Sequence, residues 1–393
     1  MKVLHTAEFY SPSVGGSQEV VKQLSEHLVA LGHDVTVATT KLPNRKTKII
    51  NGVKIVEFDI TGNAVVGYQG KDVKKYQRFL TNGKFDVMMN YAAQQWATDL
   101  AFEIIEHIQA RKIFVPCGFS GLYDLAYSNY FKQIPTILKK YDNTVYLSNN
   151  YRDINFAKRN KINNRIIIPN GADEREFDKL ILFNKSNLLT KYGIPEKNTI
   201  ILTVGTHTGK KGHQESMMSF IKTRVKNSSL VIVGNTLENS GCYRKCIRTA
   251  KLFNLMFKLL NNGKSIHLLN LNREDTIKFF QASDLFIFLS NIECSPLVLF
   301  ESAASGLPFL TVDVGNSKEI LKWTKSGALI PSTKSRDGLT KVEYDTSAKL
   351  IESLLTNKAR LVKYSKIGRQ IWKQRFTWQR ITEKYEKLYK GIL

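Results

Sequence analysis

One pattern is written into this chain twice: short apolar runs of strand length alternate with longer stretches whose apolar residues recur at helical spacing. Parallel strands need long crossovers and are buried on both faces, so this alternation implies parallel sheets flanked by helices. "KVLHTA" leads into "GGSQEVVKQLSEHLVALGH", where Val20, Val21, Leu24, Leu28 and Leu31 fall on one helical stripe. "DVTVAT", "VKIVEF", "FDVMMN", "KIFVP" and "TVYLS" follow as strands. At "RIIIPNGADEREF" Pro169 and Asn170-Gly171 stop the run and turn the chain. The alternation restarts with "TIILTVG", a helix from about Lys211, "SLVIVG", a basic helix near 243–261, "SIHLLN", a helix near 273–281 and "DLFIFLS". The 393 residues exceed one ordinary core, so two similar α/β domains joined near residue 170 are expected.

In open parallel sheets ligands bind beyond the carboxyl ends of the strands. Two such domains facing a central cleft would present their post-strand segments to it, and three of these carry chemistry. In "SPSVGGSQEVV", Gly15 and Gly16 let a ligand approach the backbone where a helix starts, with Ser17 as the expected N-cap. The spacing is not that of the dinucleotide fingerprint. In "LTVGTHTGKKGHQE" the strand ends at Gly205. A loop with Thr206, His207, Lys210 and Lys211 then runs to Gly212, and a lysine beside a helix start suits a diphosphate. In "IECSPLVLFESAASGLP", Ser295 as cap and Pro296 as first residue would leave the amides of Leu297, Val298 and Leu299 open to phosphate oxygens. Glu301, in an apolar context, would then reach the hydroxyls of an attached ribose, and Glu293 would face the other end of the ligand.

Lysine and arginine outnumber acids 58 to 34, a formal charge of +24 that attracts anions: phosphorylated ligands, anionic lipid or nucleic acid. No aromatic-basic recognition motif accompanies it, so nucleic acid is not the expected partner. "VKKYQRF" and "YFKQIPTILKKY" could form a basic-aromatic face for peripheral contact with an anionic membrane. No run of eighteen apolar residues appears, and "MKVLHTAEFY" reads as a strand rather than a signal peptide, so the expected location is cytoplasmic, with the inner membrane face as a peripheral site. Cys117, Cys242, Cys246 and Cys294 make no disulfide framework at this length. Cys242 and Cys246 stand four apart and could share a metal, but no second Cys/His pair completes a site in sequence, so ordinary thiols and no metal are expected.

Taken together, "YSPSVGGSQEVVKQLSEHLVALGHDVTV", "IPNGAD", "VGTHTGKKGH", "ECSPLVLFESAASGLPFL" and "FTWQRITEKYEKLY" resemble family 4 of the retaining nucleotide-sugar glycosyltransferases. The resemblance implies the GT-B fold. An N-terminal Rossmann-like acceptor domain (1–168) and a C-terminal donor domain (169–372) would face a central cleft. A helix over 373–393, with Phe376 and Trp378, would cross back to the N-terminal domain. Gly15 and Gly16 would form the loop near the donor phosphates; Thr206, Lys210, Lys211, Pro296, Leu297 and Val298 would line the diphosphate. Lys211 would bind that diphosphate and Glu293 the donor sugar, the two catalytic candidates, and Glu301 would hold the ribose. The donor would be a nucleotide sugar, with UDP favoured, and the acceptor a hydroxyl of a glycan or lipid-linked molecule.

No other cofactor is implied. The absence of Asp-x-Asp argues against a metal-bridged diphosphate. Two positions depart from the family pattern: Thr206 stands where an arginine is usual, with Lys210 as the available replacement, and Cys117 where many members have a histidine. His5, His33 and His207 do not obviously substitute. A sugar-nucleotide epimerase of the same fold, a basic nucleic-acid-binding protein and an inactive transferase stay open as alternatives.

Overall fold

The computed structural model describes residues 1–178, 183–235, 241–335 and 337–392. They divide into two compact units, Met1–Asn170 with Trp378–Leu393, and Gly171–Thr377. The strands of the first unit are β1 (Lys2–Thr6), β2 (Asp34–Thr40), β3 (Ile49–Ile50), β4 (Val53–Phe58), β5 (Thr61–Asn63), β6 (Gly67–Gln69), β7 (Val87–Tyr91), β8 (Arg111–Val115), β9 (Asn143–Tyr146) and β10 (Arg165–Ile167). Eight of them form a sheet in the order β10-β9-β8-β7-β1-β2-β4-β3. Its pairs are parallel except β3 with β4, and β5 and β6 form a separate hairpin. The chain builds outward from β1 on one side, then returns to build from β7 on the other. Its direction of winding therefore reverses between β1 and β7.

Four of the five stripe residues read from the sequence are buried, Val20, Val21, Leu24 and Leu28 of the helix Gly16–Ala30 at no more than 2% exposure; the fifth, Leu31, stands at the C-cap and is 44% exposed. Gly32, at φ 84°, ends that helix. Its amide donates to Val29 O and the His33 amide to Leu28 O, a Schellman closure that needs the left-handed conformation. The start differs from expectation. Gly15 occupies the cap position, and Ser17, two residues further on inside the first turn, donates its hydroxyl to Gln18 Oε1 at 2.9 Å.

The second unit contains β11 (Thr199–Val204), β12 (Ser228–Val233), β13 (Ser265–Leu269), β14 (Leu285–Phe288), β15 (Phe309–Thr311), β16 (Gly327–Leu329), β17 (Ser332–Lys334) and β18 (Thr340–Val342). The first six form a parallel sheet in the order β13-β12-β11-β14-β15-β16, and β17 and β18 pair as a hairpin. Here the winding reverses between β11 and β14, which pair Ile201 with Leu285 and Leu202 with Phe286. Each unit has its own apolar core. Leu4, Phe58, Tyr76, Trp96 and Phe114 anchor the first, and Ile201, Phe220, Leu230, Phe286 and Phe300 the second.

The division falls after Asn170 rather than Ile168, and again at Trp378 rather than at residue 373. Lys373 lies in the last turn of the helix Lys358–Arg375, and Phe376 packs on Trp323 and Phe300 inside the second core. Only the helix Trp378–Tyr389 joins the first unit. Its Ile381, Tyr385, Leu388 and Tyr389 are buried, and it packs on the helix Gly16–Ala30. His5 and His33 serve this packing. His5 Nε2 lies 3.0 Å from Tyr389 Oη, and His33 Nε2 lies 3.0 Å from Glu386 Oε1.

The expected basic-aromatic face does not form. In the helices Val73–Asn82 and Ser128–Leu138 the aromatic and aliphatic residues Tyr76, Leu80, Phe131, Ile134 and Leu138 turn inward, while Lys74, Lys75 and Lys132 face solvent. Burial of the apolar stripe in the unit's own core wins over display at the surface. No described helix is long and apolar enough to cross a membrane.

Candidate active site

The second unit brings two post-strand loops together at the place where its winding reverses, beyond the carboxyl ends of β11 and β14. Ligands of open α/β sheets collect at such points because the two loops diverge there. The loop after β11 carries Thr206, Lys210 and Lys211; the loop after β14 carries Glu293 and Pro296. They are stitched by backbone. Asn291 N and the Ser290 hydroxyl both reach Lys210 O at 3.0 Å. Gly212 makes the approach close: at φ 71° a Cβ there would lie 2.0 Å from Leu289 O. Glycine also caps the helix His213–Lys222, which follows directly.

Lys211 Nζ donates to Glu293 Oε1 at 2.8 Å, and the Ser290 hydroxyl lies 2.9 Å from the same oxygen. The lysine side chain is 32% exposed and the glutamate side chain 11%, so the pair stands at the edge of the unit. Lys210 is exposed and Thr206 half-buried. Behind Glu293, a Cβ on Gly315 (φ 56°) would lie 2.4 Å from Cys294 O, and Asn316 N donates to that oxygen at 2.9 Å. The Glu293 backbone is thus braced from the rear.

The helix after this loop runs from Leu297 to Ala304, one residue later than expected, with Pro296 in extended conformation at the cap position and no side chain capping. Leu299 N is used, donating to Pro296 O at 3.4 Å. The amides of Leu297 and Val298 meet no acceptor among the described residues, so two of the three expected donors are available to an anion. Glu301 follows four residues after Leu297, about 6 Å along the axis. It is 6% exposed, and its Oε1 accepts from Arg273 Nη2 at 2.6 Å.

Arg273 was not foreseen as a site residue. Asn272 caps its helix through Asp275 N at 2.8 Å, which places Arg273 at the first helical position. The same guanidinium donates to Glu176 at 2.5 and 3.1 Å and lies 5.7 Å from the Phe177 ring. It therefore fixes one of the Glu301 oxygens. The sequence signal was weak: a single arginine after a capping asparagine, whose partners lie 97 residues upstream and 28 residues downstream.

Gly15 and Gly16 belong to the first unit, at its own winding reversal after β1. Gly15 is extended, a conformation open to any residue, and a Cβ on Gly16 would meet nothing within 4 Å. Nothing in the protein itself demands glycine at Gly16. Beyond β7 and β8, Ala92, Gln94, Cys117 and Phe119 all have positive φ. Gly118 N donates to Asp153 Oδ2 at 2.8 Å, holding the Cys117 turn, and Cys117 Sγ lies 3.8 Å from Tyr91 Oη. Burial pushes the Asp153 carboxyl up to about 6 and raises Glu8, where Asp99 adds to the effect.

A second cluster adjoins the Lys211 loop. His207 and His213, both buried, set their ring centroids 4.2 Å apart, and Cys242 Sγ lies 3.8 Å from His207 Nδ1. Burial lowers His207, while burial, His207 and Lys211 bring His213 down to about 3 against the Gly205 backbone. Among the described residues, neither His213 ring nitrogen makes a hydrogen bond of normal geometry. The premise that no second Cys/His pair completes Cys242 and Cys246 therefore fails in three dimensions.

Residues 14–176 match the model of Glycosyltransferase Family 4 and residues 184–371 that of Glycosyl transferases group 1, leaving only 177–183 between them. The chain belongs to this glycosyltransferase family and has the GT-B fold. It is 26% identical to an uncharacterized glycosyltransferase of Methanocaldococcus jannaschii over 83% of this chain and 84% of that one. It is 22% identical to N-acetyl-alpha-D-glucosaminyl L-malate synthase of Bacillus anthracis, over 97% and 95%. Among solved structures, HepE of Anabaena in complex with UDP superposes with a TM-score of 0.78 at 14% identity. The same protein with UDP-glucose gives 0.75 at 15%, each covering 100% of both chains.

Proposed function

We propose that the chain is a retaining glycosyltransferase that moves a sugar from a nucleoside-diphosphate sugar, UDP-linked by preference, to a hydroxyl of a glycan or lipid-linked acceptor in surface-polysaccharide or glycoconjugate synthesis. The observation that carries this reading is the Lys211–Glu293 ion pair on the loops flanking the open Leu297 and Val298 amides, with Glu301 held by Arg273 further along the same helix. Lys211 and the two amides receive the diphosphate, Glu301 binds the ribose, and Glu293 orients the sugar. The UDP and UDP-glucose named for HepE, and the glucosaminyl group named for the malate synthase, support the donor class.

As the bond from the anomeric carbon to the leaving oxygen lengthens, negative charge builds on the diphosphate. A preplaced ammonium and two amides stabilise that charge without reorganising, which lowers the barrier. The departing phosphate oxygen takes the acceptor's proton, and the sugar is attacked on the face it leaves. Neither glutamate acts as a nucleophile.

The test is a thermal-shift panel of UDP, ADP and GDP with UDP-glucose and UDP-N-acetylglucosamine. A true donor at a hundred times its Kd stabilises by about 2.7 kcal/mol. Uniform silence across the panel overturns the reading.

A further inference from the structure

Outside the donor residues, the second unit assembles two imidazoles and two thiols from separate segments. His207 lies on the loop after β11, His213 begins the next helix, and Cys242 and Cys246 stand one turn apart on the helix Gly241–Leu259. One ligand atom from each of the four lies within 4.8 Å of every other. We propose that these four residues form a structural zinc site of the Cys2His2 type, which clasps the segment carrying Lys210 and Lys211.

The geometry is close to what the ion requires. Zinc bonds of about 2.3 Å to sulfur and 2.0–2.1 Å to nitrogen give tetrahedral edges of roughly 3.3–3.8 Å. The Cys242 Sγ to His207 Nδ1 distance of 3.8 Å already meets this. The remaining ligand-atom separations, at most 4.8 Å, would have to close by side-chain rotation when the ion binds. Both spacings, C-x3-C and H-x5-H, fall within the range that structural zinc sites use. A tetrahedral set of two sulfurs and two nitrogens selects zinc over harder cations.

A separate observation points the same way. His213 is 2% exposed, yet among the described residues neither ring nitrogen has a hydrogen bond of normal geometry. Buried polar atoms without partners are uncommon and call for an explanation, and a bound cation supplies one. All four cysteines of the chain are free thiols. Two thiolates neutralise the divalent ion, so the site adds no net charge beside the diphosphate lysine. His207 and His213 bracket Thr208 to Gly212, so the metal would fix both ends of the loop that presents Lys211. The site is distinct from a metal that bridges a donor diphosphate, because its ligands close the coordination sphere.

The experiment is a cobalt(II) titration of the full-length, chelator-stripped, reduced chain, followed by visible and near-ultraviolet absorption. One equivalent should produce intense tetrahedral d–d bands with a thiolate-to-cobalt charge-transfer band, and zinc should displace both. In the C242S/C246S variant the charge-transfer band should vanish, while in C117S/C294S it should persist. Far-UV circular dichroism checks each fold, and if C242S/C246S misfolds the wild-type spectrum alone decides. A weak octahedral spectrum without the charge-transfer band, or a band that survives C242S/C246S, overturns the proposal. Neither spectrum needs a sugar donor, so this test stands apart from that of the transferase activity.

Discussion

Replacing Lys211 with alanine separates a catalytic cation from a structural one, because the two roles differ in size. Its ammonium is bound to Glu293 at 2.8 Å, but the side chain is one-third exposed. A pair so open to solvent contributes only about 0–1 kcal/mol to folding. The Ser290 hydroxyl, 2.9 Å from the same Glu293 oxygen and 3.0 Å from Lys210 O, can turn its single proton to the carboxylate in the variant. The fold should therefore lose at most about 1 kcal/mol, or roughly 2–4 °C in Tm for a unit of this size. The transition state should lose much more. Removing one preplaced donor from a developing oxyanion costs about 2.7–4 kcal/mol, a factor of roughly 10² to 10³ in kcat. The loss should fall on kcat rather than KM, since the charge that Lys211 meets grows as the sugar departs. The assay is nucleoside-diphosphate release from whichever donor gives the largest thermal shift, with Tm measured on the same samples. An unchanged kcat in a folded K211A enzyme would remove Lys211 from the mechanism, and a collapse of Tm would make it a structural residue instead.

Further outcomes follow from neighbouring contacts. Arg273→Ala releases the buried Glu301 carboxylate and should raise donor KM by about tenfold, near 1.4 kcal/mol, with kcat largely kept; equal loss in both would place Arg273 in the chemistry instead. Gly212→Ala puts a Cβ 2.0 Å from Leu289 O at positive φ, and should cost about 2 kcal/mol or more by chemical denaturation, against near-neutrality if the loop simply shifts. Asp153 makes a signed pH prediction. Its folded pKa of about 6 exceeds the unfolded value, so the folded chain binds the extra proton and the stabilising contribution is present at low pH and lost as pH rises through 6. Between about pH 4 and pH 6 the stability of wild type relative to Asp153→Asn should therefore fall by up to about 1.4 kcal/mol for each step of one in pH, read by chemical denaturation; a flat difference would mean Asp153 titrates normally.

The two-domain plan was legible because parallel strands are apolar along their whole length and their crossovers carry a separate, longer period. β11, β12 and β14 stand out in sequence for that reason. The short strands β15 and β16 do not, since three residues carry no period. The donor loops were legible too, because glycine, lysine and a helix start lie within a few residues of one another. What the sequence hid were pairings between distant segments. Arg273 reads as an ordinary first-turn residue until Glu176 and Glu301 are seen to converge on it. His207 and Cys242 are 35 residues apart, so the thiols looked incomplete on the helix alone. Cap positions failed at Ser17 and Ser295 for a different reason. A serine one or two places from the right residue has the same composition but cannot reach the N2 or N3 amide, and only backbone angles decide which residue stands outside the helix. The two errors misplace a helix start by two residues and by one, and they change the donor count differently. At the start of the first unit's helix nothing is lost, whereas at Pro296 the Leu299 amide turns back on the chain and the anion site is left with two amides. Two amides stabilise less charge than three, so under the proposed reading Lys211 would carry the larger share of a bound diphosphate, and this makes Lys211 rather than the helix the decisive perturbation.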